Sequence, residues 1–177
     1  MQITQNTYCL PFKASSKTED NINLLASELG KKVQLPDSSR NYSLYNDPLV
    51  EKLVNYGEKA VPAILGVIEN SKDKKAVMEG LYVLDRMLDS GVTGLDKTYP
   101  VLSKHNNTDS PEIQTLLAGI YRKTLIPDAF GPLLKMLAND INGKTQSPYF
   151  DPSEEIGGAV LEYLKSYQAA KAYPKQT

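Results

Sequence analysis

Among the 177 residues, the side chains best suited to acid-base, metal or nucleophilic chemistry are one histidine, one cysteine and two short acidic strings. His105 lies in Lys104-His105-Asn106-Asn107-Thr108-Asp109, between Ser103 and Ser110. A histidine beside a carboxylate and a hydroxyl has the parts of a general base or an acyl-transfer site. It works only if the fold brings those groups within hydrogen-bond reach. Nothing in this spacing imposes that, so the expected place of His105 is the surface or a helix end. One histidine and Cys9 cannot supply the four ligands of structural zinc, and a lone cysteine makes no intrachain disulfide. Asp140-Ile141-Asn142-Gly143-Lys144 has the opening of a calcium loop, yet its twelfth position, residue 151, is Asp where the bidentate Glu belongs. A helix C-cap is the expected reading there. No phosphate loop, dinucleotide fingerprint or nucleophile elbow is present. Neither a metal nor a cofactor is expected.

Charge narrows the partners. There are 20 Lys plus Arg against 21 Asp plus Glu, net -1, so no whole-molecule field gathers nucleic acid or an anionic membrane. No apolar run approaches the roughly 18 to 20 residues of a membrane helix. The start, Met1 to Cys9, lacks the basic opening and apolar run of a signal peptide. The expected setting is cytoplasmic, without a membrane partner. Tyrosine is the suggestive residue type: 11 Tyr, 3 Phe and no Trp. A ring with a polar tip suits protein interfaces, and it suits a core edge equally well.

The elements that position these residues begin near residue 46. Residues 1–45 are polar, with little apolar surface to offset the entropy of ordering them. They read as a mostly flexible segment with a short helix at 21–30, where Ile22, Leu25 and Leu29 share a face and Gly30 supplies a stop. Residues 46–172 read as one repeat domain and 173–177 as a tail. Seven helices follow from spacings of three and four. They run from Asp47-Pro48 to about 57, then 58–70, 73–90, 94–104, 110–124, 127–141, and from Asp151-Pro152-Ser153-Glu154 onward. No alternating strand pattern appears, so the fold class is all-α.

Gly80, Gly119 and Gly158 recur every 39 residues, each inside a helix. Glycine in a helix interior costs about 1 kcal/mol against alanine, so equal spacing implies close approaches between helices, expected to be backbone on backbone. A proline marks the start of the helix before each one: Val61-Pro62, Tyr99-Pro100 and Gly131-Pro132. The string Tyr56-Gly57-Glu58-Lys59-Ala60-Val61-Pro62-Ala63-Ile64-Leu65, followed by the helix through Ala76, Gly80 and Leu84, resembles a unit of the HEAT-like helical repeat family. The next two units are similar to it. The resemblance implies a right-handed α-α superhelix of about three helix pairs plus an entry helix, commonly an interaction surface, and no catalytic residue. The extra aspartate and arginine positions of regular HEAT arrays are missing, which leaves a compact, irregular bundle of hairpins as the other arrangement.

That resemblance sets the functional expectation: a noncatalytic adaptor or scaffold binding a protein or peptide along its inner helices. Tyr82 and Tyr121 are 39 residues apart and expected to project equivalently, and Tyr163 and Tyr167 share a face. Tyr82, Arg86, Tyr121, Arg122 and Glu162 are the expected binding residues. The inner helices carry mixed charge, including Lys75, Glu79 and Asp85, which disfavours the clustered positive face of a nucleic-acid-binding HEAT-like module. A HEAT-like lyase or hydrolase would need polar groups converging around His105 or the inner acids. The iron-binding branch of that family needs paired His-Glu motifs that one histidine cannot supply. Self-association stays open, because a short stack leaves an apolar end exposed unless another copy or the Ile22, Leu25 and Leu29 stripe covers it.

Overall fold

The computed structural model describes residues 17–31, 47–143 and 152–172, and every regular element within them is a helix. The expectations for Cys9, for flexibility in 1–16 and 32–46, for a cap at Asp151 and for the 173–177 tail lie outside those residues. Helix α1 spans Lys17–Ser27, α2 Pro48–Tyr56, α3 Val61–Asn70 and α4 Lys74–Asp89. They are followed by α5 at Tyr99–Leu102, α6 at Pro111–Thr124, α7 at Phe130–Ile141 and α8 at Ser153–Ala172.

Local chemistry sets the boundaries. Asp47 holds an extended conformation and accepts the Leu49 N–H at 2.8 Å, with Pro48 at the first helical position of α2. Asp73 does the same for α4 through the Lys75 N–H. Helix α4 closes at Ser90, Gly91 and Val92: the Val92 N–H donates to the Met87 carbonyl and the Gly91 N–H to Leu88, while Gly91 takes φ +82. This pair of hydrogen bonds satisfies carbonyls that the helix itself leaves unpaired. Helix α1 begins four residues before the expected 21, because Glu19 and Asp20 favour its N-terminal dipole ahead of the apolar stripe.

The expected single helix at 94–104 is corrected. It is a 3-10 turn at Leu95–Thr98, the four-residue α5, and a second 3-10 turn at Ser103–His105. Pro100 brings no N–H, so the α-helical ladder cannot extend back through the first turn. The same device, a 3-10 turn at Gly57–Ala60 ahead of Val61-Pro62, opens α3. Asn142 and Gly143 (φ +68) cap α7, in keeping with the C-cap reading of the calcium-like string.

Helix α3 packs on α4 and α7 on α8, while α4 rests on α6 and α6 on α8. At the other end, α1 contacts α2 and α3, and α2 contacts α4. One apolar core runs through all of them, from Ile22 on α1 and Leu29 just after it to Ile156 and Tyr163 on α8. The turn after α1 is fixed to α4 by a long-range bond: the Gly30 N–H donates to Glu79 Oε2 at 2.6 Å. Gly30 has φ +82, and a Cβ there would stand 2.9 Å from the Ala76 backbone. Only glycine fits both demands.

The reading of the periodic glycines as backbone contacts is also corrected. Their neighbours are side chains: Ile68 and Ile64 over Gly80, Asp85 and Glu155 over Gly119, and the Arg122 guanidinium over Gly158. Gly80 makes room for apolar packing between α3 and α4, whereas Gly119 and Gly158 make room for charges between α4, α6 and α8.

Candidate functional site

Three helices in successive contact, α4, α6 and α8, carry the expected binding residues, and a row of charges bridges the three. From α6, Lys123 Nζ reaches both Asp85 Oδ1 (2.8 Å) and Asp89 Oδ1 (2.7 Å) on α4. Also from α6, Arg122 lies 3.1 Å from Glu155 Oε1 on α8, an ion pair without hydrogen-bond alignment. Alanine at 119 would put a methyl 3.2 Å from Asp85 Oδ1 and 3.6 Å from Glu155 Oε1. Gly119 thus lets an acid from each neighbouring helix lie across the middle one.

Burial pushes Asp85 above the usual carboxylate range, more than the Lys123 bond pulls it back. Burial also opposes the charge on Lys123, but the hydrogen bonds it donates to Asp85 and Asp89 outweigh it and hold the ammonium above its ordinary value. The row is therefore tightly tied within the protein. Its outer members remain accessible: the Asp89 side chain is 54% exposed and that of Arg122 38%.

The expected residues divide. Tyr82 and Arg86 lie one turn apart on α4, the guanidinium 3.5 Å from the phenol, and both are half-buried. Arg122 and Glu162 reach the surface, Glu162 pairing with Lys165 at 2.7 Å. Tyr121 does not: it is fully buried, donates its hydroxyl to Asn106 Oδ1 at 2.7 Å and lies against the Tyr99 ring. Equivalent projection of Tyr82 and Tyr121 is therefore corrected, and Tyr121 offers no surface to a partner. Tyr163 and Tyr167 separate likewise, the first buried and the second 72% exposed.

Sequence reasoning missed what the tyrosines do. Tyr99 donates to the Asp128 carbonyl and Tyr163 to the Ile126 carbonyl, each at 2.7 Å. Each ring fills core volume while its hydroxyl satisfies a turn carbonyl, a task phenylalanine cannot perform. Burial raises both Tyr121 and Tyr163 far above the ordinary phenol value. Partners 29 and 37 residues away left no local signal.

His105 sits at a helix end, its Nε2 3.0 Å from the Ile68 carbonyl in the last turn of α3. It borders an open cleft of about 520 Å³ with Lys72, Lys74, Lys104, Thr108 and Asp109. Lys74 is paired with Asp109, holding that carboxyl below its usual range, and Lys104 with Glu69. Among the described residues, no group of three or more His, Cys, Asp or Glu could hold a metal ion, and no helix is long and apolar enough to cross a membrane. Comparison with protein-family models, curated proteins and solved structures finds no match for this chain.

Proposed function

We propose that the chain is a noncatalytic adaptor that binds a protein or peptide segment across its inner helices α4, α6 and α8. In this reading the helix pairs form a short HEAT-like right-handed superhelix. The observation that carries it is the bridged row itself: Lys123 to Asp85 and Asp89, Arg122 to Glu155, with Gly119 beneath. Charges held by their own neighbours lose little freedom when a partner docks, which lowers the ordering cost of binding. Arg86 and Arg122 supply fixed cationic groups, Asp89 and Glu162 acidic ones beside them, and Tyr82 a ring. Such a surface fits a segment of mixed charge better than a nucleic-acid backbone. A cytoplasmic setting belongs to the same proposal, because a chain with one cysteine has no internal disulfide that needs an oxidising compartment.

The test is a pull-down from native lysate with mass spectrometry, comparing the natural chain with Arg86→Glu/Glu162→Lys and with the off-face control Lys59→Glu. Thermal unfolding of each is recorded alongside. One dominant protein kept by the control and reduced at least tenfold by the face variant, at unchanged melting temperature, is expected. Equal capture by all three, or no specific protein, overturns the reading.

A further inference from the structure

Helix α8 is apolar on more than its core side. Ile156, Ala159, Val160 and Tyr163 face inward, yet Leu161 is 51% and Leu164 44% exposed. These two belong to a stripe of six positions separated by three and four: Glu154, Gly157, Leu161, Leu164, Gln168 and Lys171. That is the seam spacing of two helices packed along their length, and none of the six is buried against the rest of the protein. Gly157 lies inside the helix with nothing within 4 Å of where a Cβ would be. The chain's own packing therefore does not require a glycine there. Neighbouring α7 carries two further exposed apolar residues, Leu134 at 44% and Ile141 at 75%.

We infer that α8 is the homodimer contact and that its occupant is the α8 of a second copy, running antiparallel. The stripe is complementary to itself in that direction. Placing Leu161 against the partner's Leu164 brings Gly157 opposite the partner's Gln168 and Glu154 opposite the partner's Lys171. Each relation repeats by symmetry, as an isologous contact requires. Apolar meets apolar at the centre, the larger side chain lies over the glycine, and opposite charges close both ends. In the parallel direction the register sets Glu154 on Glu154 and Lys171 on Lys171, so charge selects the antiparallel pair. A 20-residue helix is about 30 Å long and its 12-residue neighbour about 18 Å. A contact along one such helix is smaller than the interfaces of stable dimers. The dimer is accordingly a weak one, formed at micromolar concentration.

Sedimentation velocity of the full chain from about 1 to 200 μM tests this. A monomer-dimer equilibrium is expected, weakened at least tenfold by Leu161→Glu and also by Lys171→Glu. The double change Glu154→Lys/Lys171→Glu restores it, because the end charges are merely exchanged. Circular dichroism checks that α8 still folds in each variant. A monomer throughout the range overturns the inference. So does a dimer indifferent to Leu161→Glu, or one that Lys171→Glu weakens and the double change fails to rescue.

Discussion

Glu79 illustrates how a single residue can decide whether a segment joins the fold. Its side chain is buried, where an acceptor without a donor costs several times what an exposed one does. The Gly30 N–H answers one oxygen at 2.6 Å, and Lys75 stands 3.8 Å from the other. Glu79→Ala orphans the Gly30 donor and opens the contact between the turn after α1 and α4. A loss of about 1–3 kcal/mol is expected in urea denaturation. Glu79→Gln keeps the acceptor and should cost less, whereas equal effects would show that shape alone matters there. None of this was legible in the sequence. Lys75 and Glu79 are four apart on a helix and read as an ordinary surface pair, while the decisive partner lies 49 residues upstream. Tyr121 was opaque for the same reason: an exposed and a buried tyrosine look alike until Asn106 and Tyr99 are brought to it.

At the level of elements, what the sequence revealed most clearly was periodicity and caps. Asp47-Pro48, Asp73, Ser110-Pro111 and Gly91 mark helix ends in the sequence and act there in the structure, because capping is a contact within a few residues. The 39-residue glycine spacing identified positions of close approach, but the kind of contact depends on the facing helix. Gly80 and Gly66 give that difference a measurable form. A methyl at Gly80 would lie 2.9 Å from Ile68 Cγ1, an atom in the middle of a fully buried side chain, so the gain of about 1 kcal/mol in helix propensity is outweighed by overpacking of about 1–3 kcal/mol. Gly66, inside α3, has nothing within 4 Å. Gly80→Ala should lower the denaturation midpoint, and Gly66→Ala should raise stability by about 0.5–1 kcal/mol. If both moved stability the same way, the local packing around Gly80 would be looser than its neighbours indicate.

For the whole molecule, the same buried hydroxyls set the response to alkali. Tyr121 and Tyr163 are raised by burial, and Lys123 by its two aspartates, so the folded protein retains protons that the unfolded chain releases above about pH 10. A folded value above the unfolded one means stability is complete below the unfolded value and declines as pH climbs toward the folded one. A fully buried group contributes a slope of up to about 1.4 kcal/mol per pH unit in that window, and a solvent-screened one such as Lys123 much less. Tyr121 is the clean case, with no solvent contact to dilute the effect. At neutral pH, Tyr121→Phe loses the hydrogen bond to Asn106 and should be less stable by about 1 kcal/mol. Above pH 10 it lacks one titrating phenol, while Tyr163 and Lys123 act equally in both proteins. The two curves of unfolding free energy against pH should therefore converge and cross about one unit above pH 10. Parallel curves through that range would mean that the Tyr121 hydroxyl reaches water before the fold gives way, and that the core between α5 and α6 opens locally rather than with the whole.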